Sequence, residues 1–383
     1  MSADATTGGR EGLRAGMATA AEPGQRARQR IVVLAPNWLG DLVMAMPALA
    51  ALRLWRPDAT LTLAARAGLA PIGPLLPGID ETIALQGRGG LRALTTWRRD
   101  ARILAAGRFD VAVLLPNSLH AALIARQAGI PERWGYRADL RGPLLTRAIA
   151  RPRPPMHQAE YYRALVTALG APLTPLRAAL AIGDALQTRA RETLTAAGWR
   201  GGPLLGLAPG AAFGPAKRWP PERMAHVAAA AARSHGATPV IVGARHDAET
   251  ASQVVRAYDE ATRGSDLPAP IDLTGRTDLP QLAGVLSICA AVVSNDSGAM
   301  HVAAAAGAPV VGLFGPTDEQ ATSPLPHPSS GGITVLAGEA DCRPCGLRTC
   351  PIDHRCMNSL DVDRVTEAVH RHLARARGPE DRA

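Results

Sequence analysis

Four residues late in the chain have the types and spacing of a phosphate-binding site. The strand-like stretch VVSND ends at Asp296, and Ser297 and Gly298 then open a helical pattern. The first turn of a helix presents free backbone N–H groups and a partial positive charge, which together favour a phosphate. His301 follows Ser297 by four positions and therefore lies on the same helix face. The structural alternative is that Asp296 or Ser297 caps the helix and His301 is buried.

Two Gly- and Pro-containing loops are expected beside this helix start. LAPGAAFGPAKRWP contains Gly210 and carries Lys217 and Arg218 just before a helix, and LFGPT places Gly315 after the next strand. A cation in such a loop can neutralise a diphosphate and stabilise its departure. A solvated basic turn explains Lys217 and Arg218 equally well, so these residues by themselves leave both interpretations open.

A single carboxylate, Asp41, follows the first apolar run of the chain in the stretch NWLGDLVMAMP. An acid in this position either caps a helix or acts as a general base. Opposite a phosphate site, Asp41 favours group transfer from a nucleotide donor, with the carboxylate taking a proton from the attacking hydroxyl. Gly40 would then leave room beside the acid for a sugar to approach.

Strand and helix patterns alternate along the chain, which is typical of a parallel α/β fold. Apolar runs predict strands at 31–35, 60–65, 110–116 and 238–243, and strands that continue into loops at 203–210, 291–296 and 308–316. In doubly wound sheets, ligands bind at the carboxyl ends of the strands. The three motifs all lie at such ends, so we expect them to share one cleft.

Gly and Pro interrupt this alternation at 170–176, and the pattern then starts again. We therefore predict an α/β chain with two Rossmann-like, doubly wound domains that face each other across a cleft. The expected divisions are a flexible extension over 1–30, a first domain over 31–170, a linker region over 171–202, a second domain over 203–360, and a C-terminal helix and tail over 361–383.

Composition narrows the class of protein. Hydrophobic residues make up 47% of the 383 residues, which is enough for a sizeable core, and no apolar run approaches the length of a membrane span. The N-terminal stretch has no continuous apolar region typical of a secretory signal, so a cytoplasmic location is expected.

The formal charge of +9 favours anionic partners, although an Arg-rich compositional bias would also produce it. Without a recognised module or a long basic–aromatic stretch, nucleic acid is not expected as a partner.

Four of the five cysteines cluster near the C-terminal end, in CRPCGLRTCPIDHRC. The C-x2-C pair resembles half of a structural zinc site, but the remaining spacing is irregular. Reduced structural thiols are the favoured interpretation, and disulfides are not expected in a reducing cytosol. The zinc alternative would use Cys342, Cys345, Cys350 and Cys356.

Three stretches together resemble a known enzyme family: APNWLGDLVMAMPAL, PGAAFGPAKRWP and NDSGAMHVAAAAGAPVVGLFGPT. They are similar, in the same order, to the ADP-heptose:lipopolysaccharide heptosyltransferases of glycosyltransferase family 9, most of all to the heptosyltransferase II type. The similarity runs from about Ile31 to the C-terminal helix. It implies a GT-B fold, with the acceptor at the first domain and ADP-L-glycero-D-manno-heptose at the second. It also implies inverting transfer of heptose to the first heptose of the lipopolysaccharide inner core.

The resemblance also implies roles for individual residues. Asp41 matches the family's proposed base, and Lys217 matches the cation on the donor phosphates. Further donor contacts are expected from Gly210, Asp296, Ser297, Gly298, His301 and Gly315. Acceptor contacts are expected from Gly40 and from two basic, aromatic stretches, ERWGYR (expected to be a loop) and HQAEYYRAL, through Arg133, Tyr136, Arg137 and His157. Some relatives place an acid for the donor ribose near ARHDAE, where Asp247 and Glu249 are both possible.

The resemblance further implies no required cofactor or metal, and a lipid A–Kdo2–heptose acceptor. It therefore implies a peripheral position on the cytoplasmic face of the inner membrane. The basic stretch TTWRRDARILAAGR is either an amphipathic helix that contacts anionic lipid or an ordinary solvated helix face. We expect a monomer. The alternatives are a heptosyltransferase of type I or III with another acceptor, and a non-catalytic nucleotide-sugar binder.

Overall fold

A computed structural model describes residues 28–87, 93–153, 155–329 and 332–376. The predicted N-terminal extension lies outside the described residues as far as residue 27, as does the tail beyond residue 376. Within the described ranges, no helix is both long and apolar enough to cross a membrane.

The first half of the chain builds a six-stranded parallel sheet with the strand order β3-β2-β1-β4-β5-β6. Its chain order therefore reverses between β1 and β4. The strands are β1 Arg30–Leu34, β2 Thr60–Arg66, β3 Glu81–Leu85, β4 Val111–Leu114, β5 Glu132–Tyr136 and β6 Arg147–Ile149.

The second half repeats this topology, with the strand order β12-β11-β10-β7-β8-β9. Here the chain order reverses between β7 and β10, and such reversal points are where doubly wound sheets bind ligands. The strands are β7 Leu204–Ala208, β8 Thr238–Ile241, β9 Ile271–Asp272, β10 Ala291–Asn295, β11 Val310–Phe314 and β12 Ile333–Ala337.

Helices connect the strands and cover the sheets. They are α1 Leu39–Met44, α2 Met46–Trp55, α3 Ala93–Ala106, α4 Leu119–Gln127, α5 Gln158–Ala168, α6 Asp184–Ala196, α7 Pro221–His235, α8 Ala248–Ala261, α9 Leu279–Ser287, α10 Gly298–Ala305, α11 Glu319–Thr322, α12 Arg355–Asn358 and α13 Val362–Ala376. Local chemistry sets several ends: α7 begins at Pro221 and stops at Gly236, whose φ of 63° is left-handed. Asp278 and Gln281 form a capping box at the start of α9.

The structure confirms the predicted α/β class and the predicted strands, and it corrects one loop. ERWGYR was expected to be a loop of the first half. Instead, Glu132–Tyr136 is β5, which pairs with β4 and β6 in parallel. Trp134 and Tyr136 bury one face of β5 in the core. Tertiary pairing therefore overrides a weak local pattern at this strand.

The two sheets share one apolar core. Residues of β1 and β10, including Val33 and Val292, belong to a single hydrophobic cluster. α6 packs against α9, and hydrogen bonds tie the connecting segment before α6 to both halves. The Leu180 N–H donates to Ala305 O over 2.7 Å, and the Thr174 hydroxyl donates to Pro47 O over 2.8 Å. The cleft between the halves is thus closed at its base by packed side chains.

Candidate active site

One cleft of about 480 Å³ opens at the carboxyl ends of both sheets. It lies at the two points of strand reversal, so loops from both halves line it. The predicted residues that contribute to its wall are Gly40, Asp41, Gly210, Lys217, Asp296, Ser297, Gly298 and His301. The three sequence motifs therefore meet in one place, as expected from their positions after strands.

Lys217 and Asp296 form a buried ion pair on the second-half wall of the cleft. Lys217 Nζ lies 2.5 Å from Asp296 Oδ2, and only 12% and 6% of these side chains are exposed. The Thr317 hydroxyl donates to the same carboxylate oxygen over 2.6 Å. Asp296 thus holds a cation and a hydroxyl, the two groups that suit a phosphate, beside the start of α10.

Asn295, which the sequence analysis missed, holds the loops of this wall together. Its side-chain amide donates to Pro209 O over 2.7 Å, and its carbonyl accepts from the Trp219 N–H over 3.1 Å. These bonds lock the Lys217 loop onto the end of β10. The adjacent Asp296 is visible in the sequence as a charged residue after a strand, whereas a buried amide that bridges two loops leaves no local pattern.

The start of α10 has free backbone donors rather than a side-chain cap. Ser297 occupies the N-cap position, but its side chain makes no capping hydrogen bond. Its hydroxyl oxygen lies 3.2 Å from the Ser294 hydroxyl, and the Asp296 carboxylate binds Lys217. The capping alternative for Ser297 and Asp296 is therefore not observed, and Ser297, Gly298 and Ala299 at the start of α10 line the cleft.

Asp41 lies on the first-half wall, within the first turn of α1. Tyr162 of α5 donates its hydroxyl to Asp41 Oδ1 over 3.1 Å. Burial raises the pKa of the Asp41 carboxyl, and the nearby charge of Asp296 raises it further. The hydrogen bond from Tyr162 and the positive charge of Lys217 lower this pKa and offset part of the rise. A carboxylate with a raised pKa, in a cleft and opposite a cation, has the environment of a general base.

His301 is buried where the two halves meet. Burial lowers the pKa of its imidazole to about 4, so the ring is neutral near pH 7. A Cβ atom added to Gly40 would lie 2.7 Å from His301 Cδ2. Within the described part of the chain, His301 Nδ1 has no hydrogen-bond partner. Gly40, which was expected to make room for a sugar, lines the cleft and also packs against the His301 ring.

Gly210 and Asp247 form a second close contact on the donor-side wall. A Cβ atom at Gly210 would lie 2.3 Å from the Asp247 carboxyl carbon. Asp247 Oδ2 accepts from the Ala244 N–H over 3.0 Å. Asp247 Oδ1 is buried without a hydrogen bond to any described residue, and it lies 3.8 Å from Arg218 Nη2 in an ion pair. Glu249 is exposed and lies 3.6 Å from Arg256. Of the two acids left open by the sequence, Asp247 is the one that lines the cleft.

Gly315 has a packing role, and its predicted donor contact stays a prediction. A Cβ atom there would lie 2.2 Å from Met357 Sδ, so the glycine accommodates a buried methionine from α12. Gly315 is not among the residues that line the cleft. The cleft contact from this loop comes from Thr317, two residues later.

Three predicted acceptor residues lie away from the cleft wall. Arg133 donates from Nε to Leu144 O over 2.8 Å and from Nη1 to Ile130 O over 2.6 Å, so its guanidinium ties β5 to the chain segments before and after it. Tyr136 is buried, and its hydroxyl donates to Tyr161 O over 2.8 Å. Arg137 is exposed and does not line the cleft. β5 directs these residues into the core or to the outer surface, which the loop interpretation could not anticipate.

His157, another predicted acceptor residue, joins the two halves. Its Nδ1 accepts from the Ala159 N–H over 3.1 Å and thereby caps α5. Its Nε2 lies 2.9 Å from Ser323 O. With Nδ1 an acceptor, we assign the proton to Nε2, which then donates to Ser323 in the other half.

The cysteine-rich stretch is described in full, and its four cysteines carry free thiols. Cys342 and Cys345 are exposed, while Cys356 is buried. No group of three or more His, Cys, Asp or Glu side chains within the described ranges is placed to hold a metal ion.

Comparison with known proteins decides the family. The model of glycosyltransferase family 9 (heptosyltransferase) matches residues 97–355. The chain belongs to this glycosyltransferase family. Lipopolysaccharide heptosyltransferase 2 of Escherichia coli is 32% identical over 307 residues, which cover 78% of this chain and 86% of that protein. Lipopolysaccharide heptosyltransferase 2 of Salmonella typhimurium is 31% identical over an alignment that covers 90% of this chain and 99% of that protein.

The fold comparison agrees with family 9 membership. The solved structure of E. coli ADP-heptose lipopolysaccharide heptosyltransferase II superposes with a TM-score of 0.74 at 28% identity, covering 91% of this chain and 99% of that one. This family 9 chain therefore has the GT-B architecture, with its two Rossmann-like sheets facing across a cleft. It is a glycosyltransferase, as the resemblance implied.

Proposed function

We propose that this enzyme transfers L-glycero-D-manno-heptose from ADP-heptose to the heptose of the lipopolysaccharide inner core, the heptosyltransferase II reaction. The names of the similar E. coli and Salmonella proteins support this reaction and this acceptor. The observation that carries the proposal is geometric. The Asp41 carboxylate and the Lys217–Asp296–Thr317 cluster lie on opposite walls of one cleft.

On the donor side, the ADP phosphates would bind at the free N–H groups of α10, with Lys217 and Thr317 beside them. The helix start and the ammonium group favour negative charge, and that charge grows on the phosphate as ADP leaves. Asp247, with one carboxylate oxygen lacking a hydrogen bond, is our proposed partner for the ribose hydroxyls. This arrangement needs no metal to stabilise the leaving group.

On the acceptor side, Asp41 would accept the proton of the attacking sugar hydroxyl. The hydroxyl oxygen forms a bond to the anomeric carbon of heptose while the bond from that carbon to the ADP oxygen breaks. Attack from the opposite face inverts the anomeric centre, and the proton ends on Asp41. Tyr162 orients the carboxylate through its hydrogen bond to Oδ1.

We also propose a monomer that binds the inner membrane peripherally, where its lipid-linked acceptor lies. Support comes from the basic face of α3, on which Arg98, Arg99 and Arg102 are exposed. Arginine side chains near an anionic leaflet each favour binding by about 1 kcal/mol.

A transfer assay tests the proposed reaction. Purified enzyme would be incubated with ADP-heptose and with truncated lipopolysaccharides that end in Kdo, in one heptose or in two heptoses, and product mass would be read. We expect one heptose to be added to the acceptor that ends in one heptose. Transfer to the Kdo-terminated acceptor alone would instead identify a type I enzyme. Tight ADP-heptose binding without any transfer would identify a non-catalytic binder.

A further inference from the structure

Aromatic rings and cations from both halves meet at the mouth of the cleft. Trp38 comes from the first half and is 46% exposed, three residues before Asp41. The Arg348 guanidinium lies 6.0 Å from the Trp38 ring and 5.1 Å from the Phe213 ring. Lys217 Nζ lies 4.8 Å from the same Phe213 ring. Phe213 therefore contacts both a largely buried cation, Lys217, and an exposed one, Arg348.

Arg348 belongs to the cysteine-rich segment, residues 341–350, which is attached to both donor-side loops. Its backbone carbonyl accepts from the Ala216 N–H over 3.1 Å, next to Lys217. Gly346 N–H donates to Pro316 O over 2.8 Å. Arg343 donates to Gly315 O over 2.9 Å and to Glu319 Oε2 over 2.6 Å. These bonds hold the segment at the rim, so the position of Arg348 is set by the same loops that carry Lys217 and Thr317.

The Arg348 charge is available to a ligand. Its side chain is exposed, and no carboxylate in the described part of the chain forms an ion pair with it. Lys217, by contrast, is bound to Asp296. A guanidinium held over aromatic rings presents a planar fork of N–H donors, which matches a carboxylate or a phosphate. Its orientation by two rings lowers the entropy lost when an anion binds.

The location of Arg348 favours the acceptor over the donor. The donor phosphates are expected inside the cleft, at α10 and Lys217, whereas Arg348 is exposed and lies beside Trp38 and Phe213. Trp38 precedes α1, which carries Asp41, and both residues line the cleft, so an acceptor hydroxyl bound at Asp41 would lie on the same wall as Trp38. We propose that Arg348 is a specificity-determining residue that binds a carboxylate or phosphate on the acceptor saccharide, with Trp38 packing against the sugar. This proposal rests on the proposed transfer function.

Steady-state kinetics of Arg348→Ala test the proposal. We expect the acceptor KM to rise roughly 10- to 100-fold, the effect of losing one charge-assisted hydrogen-bonded contact, with the ADP-heptose KM unchanged. Arg348→Lys keeps the positive charge but loses the planar set of N–H donors. Its acceptor KM should therefore lie between those of the wild type and Arg348→Ala. The control Arg355→Ala removes an exposed arginine that is paired with Asp353 3.1 Å away, and it should leave both constants unchanged.

Modified acceptors distinguish the two anions. If a phosphate is the ligand, phosphatase-treated acceptor should lower the affinity of the wild-type enzyme and abolish the difference between wild type and Arg348→Ala. If a carboxylate is the ligand, carboxyl-reduced acceptor should do so instead. An unchanged acceptor KM in Arg348→Ala, or a rise confined to the donor KM, would overturn the inference while leaving the proposed function standing.

Direct binding keeps the two proposals separate. Calorimetry of the core oligosaccharide with wild type and Arg348→Ala reports the anion contact without any turnover. If wild type shows no transfer yet the variant binds the oligosaccharide more weakly, the proposed function fails and the anion site stands. Equal binding by both proteins refutes the anion site whatever the turnover.

Discussion

The Asp41 carboxyl group is subject to opposing influences. Burial in the cleft raises its pKa, and the Tyr162 hydroxyl and the Lys217 charge act against that rise. Desolvation favours the protonated form of an acid, whereas a hydrogen bond donated to the carboxylate favours the ionised form. The net effect is a raised pKa, which makes Asp41 a stronger base than an exposed aspartate.

Replacing Asp41 by Asn tests its role as the base. The amide has nearly the same shape but takes no proton, so we expect kcat to fall by roughly 10²- to 10⁴-fold, the usual contribution of general base catalysis. The Kd for ADP-heptose, measured by calorimetry, should stay within about twofold, since the donor phosphates are expected on the opposite wall. Turnover close to that of wild type would remove Asp41 from the mechanism.

Removing the Tyr162 hydroxyl should shift the pH dependence of the reaction. The Tyr162 bond lowers the Asp41 pKa, so Tyr162→Phe should raise that pKa further. Because the base must be ionised, activity is lost as the pH falls through this pKa. The acidic limb of kcat/KM should therefore move to higher pH in the variant. Tyr136→Phe is the matched control, because that hydroxyl bonds to Tyr161 O and does not contact Asp41; an equal shift in both variants would contradict the assignment.

Among elements, the contact between α1 and α10 sets the distance between the two walls of the cleft. Gly40 on α1 faces the His301 ring, and Gly298 on α10 faces Leu39, where an added Cβ atom would come within 2.9 Å of the Leu39 Cβ. Each helix thus carries a glycine that receives a side chain of the other. The base and the donor-side helix approach closely because neither glycine has a side chain.

Gly40→Ala should separate these two helices. The new methyl group would lie 2.7 Å from a buried ring carbon, so His301 or α1 must move. We expect a loss of roughly 1–3 kcal/mol in unfolding free energy from overpacking, together with a fall in kcat as Asp41 moves from the donor. Gly68→Ala is the control, since an added Cβ atom there meets nothing within 4 Å. Denaturant titration and transfer kinetics would measure both effects, and equal behaviour of the two variants would contradict this account.

Element by element, the sequence predicted the central strands better than the outer ones. β1, β4, β7 and β10 are buried on both faces and appear as continuous apolar runs. Outer strands such as β3 and β6 expose part of their residues, and their sequences resemble loops. The active-site loops follow central strands, which is why the catalytic motifs were visible in the sequence although several sheet edges were not.

At the scale of the whole molecule, the two halves form a single packed unit. One apolar cluster continues from the first sheet to the second, and His157 links α5 to Ser323 in the second half. Neither half could expose its share of this cluster without a large hydrophobic cost. The halves are therefore expected to unfold together.

Calorimetry of thermal unfolding should show one transition, with calorimetric and van't Hoff enthalpies in agreement. His157→Asn offers a mild perturbation, because Asn still caps α5 but lacks the group that reaches Ser323. We expect this variant to lose about 1 kcal/mol of stability and to keep a single transition. Two resolved transitions in the wild-type protein would show that the halves unfold independently.

The sequence alone determined the α/β class, the central strands and the loops that carry chemistry, because strand burial, helix ends and Gly-rich turns are written in short stretches of chain. Tertiary structure decided which groups meet. Lys217 and Asp296 are 79 residues apart, and Asp41 and Tyr162 are 121 apart. Such pairs depend on how two sheets pack against each other, which no local pattern encodes. The same packing assigned Gly40 to His301 and Gly315 to Met357, and it placed Tyr136 in the core.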